Sequence, residues 1–207
     1  MKYIQSLVAS DCDLITLMAV MLFVSASAFS PRAEAKIVYT PVDVTGGNIK
    51  FDVNHDGIND FEIQSAIGSF ICGLRGGIRG VVTATPTTGD GIVVSGGNDA
   101  AALKGGIRVG PGSTFYKSGV LMTRFQRGGC GLSEAGNWCG SFALGCSITA
   151  YLGLEFLVNG HTHYGWAHVT VVIDVFNGMH VLTVTLKGFA YETIAGQGIT
   201  TGQTSGP

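Results

Sequence analysis

The chain has 207 residues, of which 46% are hydrophobic and 13% charged, and its formal net charge is −2. This length supports one domain with a substantial core. The near-neutral charge provides no basic field for nucleic acid, which is therefore not an expected partner. The 32 glycines disfavour helices, in which each glycine costs about 1 kcal/mol relative to alanine. They suit many short strands joined by tight turns.

Residues 1–35 are predicted to be a signal peptide. Lys2 supplies the positive charge, Leu14 to Phe29 form an apolar run, and Ala33 to Ala35 fit the small-x-small cleavage rule. The mature chain, residues 36–207, is then a single secreted or extracytoplasmic domain without a membrane span. It keeps ten basic and eleven acidic residues. The alternative is an uncleaved membrane anchor, because the apolar run approaches the length of a span.

Four cysteines remain after the predicted cleavage site, namely Cys72, Cys130, Cys139 and Cys146. An even number outside the cytoplasm predicts disulfides, for which three pairings are open. The last three cysteines lie in one Gly-rich loop, so we expect at least one bridge to close inside it. A zinc site is the rival interpretation, but the chain has no Cys-x-x-Cys pair.

Short β-branched runs such as "KIVYT", "GVVTAT" and "GIVVSG" alternate with turn signals along the mature chain. This spacing predicts an all-β sandwich or barrel, and we expect a β-sandwich of the jelly-roll or lectin-like kind. Two Asn-Gly dipeptides, Asn159-Gly160 and Asn177-Gly178, lie between strand-like runs and predict tight hairpins. The C-terminal third should therefore form an antiparallel meander.

Two-residue turns at these dipeptides would pair Val158 with His161 and Phe176 with Met179. Both registers then collect apolar residues on one face, and a slip of one residue would mix this face with polar groups. We predict that this face is the core side. Its members are Leu152, Leu154, Phe156, Val158, Ala167, Val169, Val171, Ile173, Leu182, Val184 and Leu186.

The opposite face of the meander, here called the aromatic face, carries rings with a few polar groups. In the same registers Tyr164 falls opposite Tyr191, and Trp166 falls between Gly153 and Phe189. One interpretation is a packed surface beneath a loop. The other is an exposed platform on which sugar rings of a polysaccharide or cell-surface matrix would stack. Its full set is Tyr151, Glu155, Tyr164, Trp166, His168, Lys187, Phe189 and Tyr191, with Tyr151, Glu155, Tyr164, Trp166 and Tyr191 as candidate ligand-binding residues.

An aspartate loop, residues 52–60, matches the first nine positions of the EF-hand calcium loop, D-x-N-x-D-G-x-x-D. Gly57 allows the sharp turn, but Ile63 stands where an EF-hand has a bidentate Glu. We therefore expect a structural Ca²⁺ site between two strands. The alternative is a polar hairpin with Asx turns and no ion. The candidate ligands are Asp52, Asn54, Asp56, the carbonyl of Ile58, and Asp60.

Catalysis is poorly supported by the sequence, and we assign no catalytic residue. Glu155 is the only carboxylate on the aromatic face, whereas glycoside hydrolysis uses two. The expected function is therefore a non-enzymatic, calcium-stabilised module that binds extracellular polysaccharide. Two alternatives stay open: a hydrolase of an extracellular polymer, with Glu155 and a hairpin histidine as candidates, and a structural component of the cell surface or matrix.

The segments "YLGLEFLVNGHTHYGWAHVTV" and "GFAYETIAGQGITTG" carry a resemblance, together with the aspartate loop and "GGIRVGPGSTF". In these segments the chain resembles uncharacterised exported bacterial β-rich proteins that often carry PEP-CTERM sorting tails. The His163-Tyr-Gly-Trp166 block is the most specific element. The final residues, "TGQTSGP", depart from that pattern because they hold no Pro-Glu-Pro motif. The resemblance implies an extracytoplasmic β domain and no established activity.

Overall fold

A computed structural model describes residues 36–128, 131–139, 145–176 and 179–206. All regular secondary structure in these residues is β-strand, so the predicted all-β class is confirmed. The jelly-roll or lectin-like sandwich stays a prediction. The strands are β1 Ile37–Thr45, β2 Asn48–Phe51, β3 Phe61–Cys72, β4 Arg75–Pro86, β5 Gly91–Ser95, β6 Asp99–Ala100, β7 Arg108–Val109, β8 Phe115–Tyr116, β9 Val120–Gly128, β10 Ser133–Ala135, β11 Cys146–Val158, β12 His161–Phe176, β13 Met179–Glu192 and β14 Ile199–Thr200.

One large mixed sheet contains twelve of these strands in the order β1-β13-β12-β11-β5-β6-β9-β4-β3-β2, with β8 beside β5 and β10 beside β9. The β6–β9 pair is parallel, and the other described pairs are antiparallel. Strands β1 and β2 lie at opposite ends of this order, yet only Gly46 and Gly47 separate them in the chain. The sheet therefore curves until its two ends meet, and the rings of Phe51 on β2 and Phe189 on β13 lie 5.5 Å apart.

The predicted C-terminal meander is present as β11, β12 and β13. Asn159 and Gly160 both have positive φ, 52° and 78°, as a two-residue hairpin turn requires. Strand β11 pairs with β12 in the predicted register, Val158 opposite His161. Residues 177 and 178 lie outside the described residues, but Phe176 and Met179 pair as predicted. The registers predicted from the two Asn-Gly dipeptides are therefore correct near both turns.

A β-bulge between β12 and β13 makes the predicted register wrong beyond Val169. Val169 pairs with Leu186, but His168 already pairs with Gly188, so Lys187 is an extra residue on β13. A single inserted residue reverses the face of every residue that follows it. Trp166 consequently lies opposite Ala190 instead of Phe189.

The bulge moves two aromatic residues away from the aromatic face. Tyr191 pairs with Gly165, not with Tyr164 as the sequence predicted. Phe189 is buried in the main core, and Tyr191 packs against that core. The aromatic face therefore loses both residues, while the main core gains them.

Buried apolar residues form two groups on the two sides of the meander. The main core lies on the predicted core side and includes Leu152, Phe156 and Val171 together with Phe61 of β3 and Phe125 of β9. A second, smaller core lies on the aromatic face. It contains Ile37, Val93, Ala101, Val109, Tyr164, Trp166, Ala190 and Ile199. Strands β7 and β14, which pair in a separate two-stranded sheet, supply Val109 and Ile199 to this cover.

A disulfide joins Cys139 to Cys146 across seven positions, with their Cα atoms 6.2 Å apart. The prediction that a bridge closes inside the Gly-rich loop is therefore confirmed. Cys72 is also disulfide-bonded. Cys130 lies outside the described residues, as do residues 1–35 with the predicted signal peptide. No helix in the described ranges is long and apolar enough to cross a membrane.

Candidate functional site

The aspartate loop connects β2 to β3 and is held at both ends by backbone hydrogen bonds. Asp60 N donates to the Phe51 carbonyl at 3.1 Å, and Thr87 N donates to the Asp60 carbonyl at 2.7 Å. Between these anchors the loop extends into solvent, and Ile58 is 64% exposed. The loop therefore has fixed ends and an accessible apex.

Asp52 organises the turn through its carboxylate. Its Oδ1 accepts from His55 N at 2.6 Å, and its Oδ2 accepts from Gly57 N at 2.7 Å. Gly57 has a φ of +89°, which side-chain-bearing residues rarely adopt. The sequence pattern D-x-N-x-D-G thus produces a loop wrapped around the carboxylate at its first position.

The next two candidate ligands follow the same pattern of Asx turns. Asn54 Oδ1 accepts from Asp56 N at 2.9 Å, and Asp56 Oδ1 accepts from Ile58 N at 2.8 Å. Asn54 Nδ2 also donates to Asp56 Oδ2 at 3.1 Å. These bonds direct the side-chain oxygens towards the inside of the loop, where both an ion site and a polar turn would place them.

Asp60, the last candidate ligand, is only 6% exposed, and its Oδ2 accepts from Val53 N at 2.7 Å. Burial raises the pKa of Asp60 above its ordinary value, and the nearby charges of Asp52 and Asp56 raise it further against the effect of the Val53 hydrogen bond. Asp60 is thus a buried carboxylate near two others, and the Val53 hydrogen bond does not fully offset its burial. No three His, Cys, Asp or Glu side chains in the described ranges are close enough together to hold a metal ion as they stand.

The apex of the loop also contacts the other end of the large sheet. His55 Nε2 lies 2.7 Å from Oγ1 of Thr40 on β1, and its ring lies 6.0 Å from that of Phe189. Tyr191 is near this region as well: burial raises its pKa, and the charge of Asp52 raises it further. The bulge that removes Tyr191 from the aromatic face therefore brings it near the aspartate loop.

The aromatic face keeps Tyr151, Glu155, Tyr164, Trp166 and His168 together, but it is covered. Trp166 is 2% and Tyr164 5% exposed. The Tyr151 ring meets the Trp166 indole edge-on at 5.2 Å and stacks on His168 at 4.5 Å. The indole Nε1 donates to the Gln203 carbonyl at 3.2 Å. The face is therefore a packed interior surface, and the indole is not available to a sugar ring.

Gly153 contributes to this packing by leaving room for Val93 of β5. It does lie opposite Trp166. The space above it, however, is occupied by β5, since a Cβ at Gly153 would lie 2.5 Å from Cγ2 of Val93 and 3.1 Å from Cδ1 of Leu103. The glycine therefore allows close approach of Val93 to β11.

Glu155, the carboxylate candidate for a possible hydrolase, has an ion-pair partner, and one hairpin histidine, His163, has a hydrogen-bond partner. Glu155 Oε1 lies 3.4 Å from Lys117 Nζ, and its side chain is 16% exposed. The Glu155 charge, after burial, raises the pKa of Tyr164. His163 is buried, and its Nδ1 lies 2.9 Å from the Glu192 carbonyl. Glu155 pairs across the strands with Tyr164, the residue after His163, so His163 lies on the opposite face of the sheet. Strand alternation therefore separates the histidine from the carboxylate.

Asp90, which the sequence interpretation missed, is buried near both Asp60 of the aspartate loop and Glu155. Its Oδ1 accepts from Leu157 N at 3.2 Å. Burial raises the pKa of Asp90 to about 6, and the charges of Asp60 and Glu155 add to this while Leu157 N–H and Lys117 oppose it. In sequence Asp90 stands between two glycines and resembles an ordinary turn residue, so no local signal distinguishes it.

Comparison of the chain with protein-family models, with curated proteins and with solved structures finds no match.

Proposed function

We propose that this chain is a non-enzymatic extracytoplasmic module that Ca²⁺ stabilises and that binds an extracellular polysaccharide. The disulfides at Cys139–Cys146 and Cys72 support a location outside the reducing cytoplasm. The predicted signal peptide supports the same location. The jelly-roll or lectin-like sandwich is the finer fold description that this proposal favours.

The observation that carries the calcium proposal is the charge around Asp60. A buried carboxylate with a raised pKa, close to the carboxylates of Asp52 and Asp56, is electrostatically unfavourable unless a cation neutralises it. Ca²⁺ prefers hard oxygen ligands, and the loop offers three carboxylates, the Asn54 amide oxygen and the Ile58 carbonyl. A modest rearrangement, in which the carboxylates give up hydrogen bonds from loop amides and bind the ion, would neutralise the carboxylates and supply Ca²⁺ with oxygen ligands.

Calcium at this position would stabilise the closure of the large sheet. The loop follows β2 at one end of the sheet, while His55 contacts Thr40 on β1 at the other end. An ion that orders the loop would therefore also hold His55 in place. The proposed role of calcium is structural, because the loop that would hold the ion connects two paired strands, β2 and β3.

The test is thermal unfolding of residues 36–207 in calcium and in a chelator. At about 100 times its dissociation constant, a ligand adds about 2.7 kcal/mol to the free energy of unfolding, so we expect the midpoint to rise by several degrees. Asp56→Ala should abolish the rise. Asp174→Ala removes an equal charge from an exposed position on β12 and should leave the calcium-dependent rise intact. An equal midpoint in both buffers would refute the calcium proposal.

A second candidate function is self-assembly at the cell surface. Ile71 and Leu74, near the β3–β4 turn, are 83% and fully exposed, and Phe176 and Met179, beside the β12–β13 turn, are each 67% exposed. One cleft is lined both by β4–β9 residues and by Val175 and His180. The two hairpin tips therefore lie at the same end and together expose apolar surface that a second copy could bury.

Sedimentation at increasing concentration tests this candidate. Leu74→Ser with Met179→Ser should shift the chain towards monomer. Ile107→Ser, an exposed apolar residue outside both hairpins, should not change the distribution. A wild-type chain that stays monomeric at all concentrations rejects self-assembly.

A further inference from the structure

An open cleft of about 570 Å³ lies on the large sheet where β3, β4, β9 and β10 are neighbours. Two arginines, Arg79 and Arg124, line it together with the amide of Gln126 and the hydroxyl of Ser133. We call these four residues the arginine cleft. None of the residues that line it is acidic.

Strand register brings the four residues together. Arg79 pairs with Gln126, and Val81 pairs with Arg124, so the two arginines are diagonal neighbours on one face of the β4–β9 pair. Diagonal neighbours are about 7 to 8 Å apart, within reach of long side chains on one ligand group. Ser133 pairs with Gln126 and extends the same face onto β10.

Small residues on β3 keep the cleft open beside the arginines. Gly68 pairs with Arg79 and Ala66 with Val81. A Cβ at Gly68 would meet no atom within 4 Å. The β3 side of the cleft is therefore shallow, and a polymer chain can reach the two guanidinium groups from that side.

Positive charge is concentrated here although the chain is nearly neutral. Four of the ten basic residues of 36–207 lie on β4 and β9, which contain no acidic residue; Arg75, Arg79 and Arg124 share the face of the cleft, and Arg127 lies on the opposite face. Neither guanidinium of the cleft has an ion-pair or hydrogen-bond partner among the described residues. Glu134 on β10 pairs with Phe125, so alternation directs it to the other face.

We propose that the arginine cleft binds carboxylate groups of an acidic polysaccharide. This inference rests on the proposed function for its ligand class, and it adds the binding site and the charged group of the ligand that the site binds. A guanidinium offers a planar fork of donors that matches a carboxylate in two parallel hydrogen bonds. Gln126 and Ser133 supply the neutral donors and acceptors that sugar hydroxyls require. A bound anion also relieves the repulsion between the two arginines.

The residues around the cleft favour a sugar polymer over nucleic acid. Proteins that bind single-stranded nucleic acid stack bases on exposed aromatic rings, and strong phosphate binding relies on many basic residues. Phe125, the aromatic residue at the cleft, is only 3% exposed and belongs to the main core. The net charge of −2 provides no long-range attraction for a polyphosphate.

Isothermal titration calorimetry on residues 36–207 tests the proposal with four probes: an oligoglucuronate hexasaccharide, the neutral glucan hexasaccharide of the same linkage, a heparin hexasaccharide and a single-stranded oligonucleotide. We expect the oligoglucuronate to bind and the glucan to bind at least about tenfold more weakly. Arg79→Gln with Arg124→Gln should weaken oligoglucuronate binding by about tenfold or more. Both side chains are exposed, and unfolding curves will show that the variant is folded.

Arg127→Gln is the matched control, because Arg127 carries the same charge on the same strand but pairs with Ile78 on the opposite face. Equal loss in Arg127→Gln and in the double variant would overturn the proposal, since binding would then follow net charge alone. Tightest binding of the heparin sulfates or of the oligonucleotide would overturn it too. Equal binding of glucan and oligoglucuronate would overturn it while leaving a polysaccharide function intact. Binding of no probe would remove both the cleft proposal and the polysaccharide half of the proposed function, whereas the calcium half depends on the unfolding test.

Discussion

His55 places its Nε2 2.7 Å from Oγ1 of Thr40, and this contact joins the aspartate loop after β2 to β1 at the opposite end of the large sheet. His55 has a φ of 62°, an uncommon conformation for a residue with a side chain. The same ring lies 6.0 Å from Phe189, which faces the core because of the bulge at Lys187. The closure of the sheet and the aspartate loop are thus physically connected.

The first prediction concerns this connection. Thr40→Val and His55→Ala should each lower the free energy of unfolding by about 1 kcal/mol, the usual contribution of a hydrogen bond. Because both changes remove the same contact, the double variant should lose less than the sum of the two. Chemical denaturation of all four proteins measures the coupling. Strict additivity would show that the contact adds no stability.

Asp60→Asn should raise the midpoint of unfolding in chelator and should remove its response to calcium. In chelator the substitution removes a buried charge that Asp52 and Asp56 repel, while the amide oxygen can still accept from Val53 N. The midpoint of unfolding should therefore rise. In calcium the variant lacks a charged ligand, so the midpoint should not rise further. A calcium response equal to that of the wild type would exclude Asp60 as a ligand.

Asp90 should make stability fall as the pH rises. Its pKa is raised from the ordinary 3.8 to about 6 in the folded chain, so the folded state holds the proton more tightly than the unfolded state. This contribution is complete below about pH 4 and is lost as the pH passes through about 6, with an upper limit of about 3 kcal/mol.

Denaturation of the wild type and of Asp90→Asn at a series of pH values measures this effect. The variant keeps the acceptor for Leu157 N and should become the more stable of the two above about pH 6. Asp43→Asn, on an exposed carboxyl, serves as the control. A constant difference between Asp90→Asn and wild type across the series contradicts the prediction.

Trp166→Ala should damage the fold and not a surface site. The indole is 2% exposed and packs against Tyr151 and Tyr39. Loss of a buried tryptophan typically costs about 3 to 5 kcal/mol. Leu157→Ala, at a residue 43% exposed on β11, should cost far less. A fully stable Trp166→Ala chain would mean that the aromatic face is uncovered in solution.

Gly153→Ala tests the packing of β5 on β11. The added Cβ would lie 2.5 Å from Cγ2 of Val93, so the variant should be destabilised by about 1 to 3 kcal/mol through overpacking. Val93→Ala in the same chain should restore part of the loss. Gly68→Ala, where the new methyl meets no atom within 4 Å, should leave stability nearly unchanged. Equal effects at the two glycines would indicate a backbone cause and not the contact with Val93.

The sequence by itself determined the features that depend on neighbouring residues. Glycine content and alternating short strands predicted the all-β class, and Asn159-Gly160 fixed the register of β11 on β12 because only a two-residue turn with positive φ closes that hairpin. The short spacing of Cys139 and Cys146 likewise predicted a bridge within their loop. The D-x-N-x-D-G pattern specified the hydrogen bonds around Asp52, since they are all local.

Only the tertiary structure decided what depends on distant segments. The extra residue Lys187 turned Phe189 and Tyr191 towards the core, because burying Phe189 against Phe51 requires β2 to return beside β13. Strands β7 and β14 covered Trp166, and Asp90 became buried near Asp60 and Leu157, which are far apart in the chain. Arg79 and Arg124 likewise meet only because β4 pairs with β9. Side-chain period within a strand is a local property, whereas burial and charge clustering arise from contacts between strands that the local pattern does not encode.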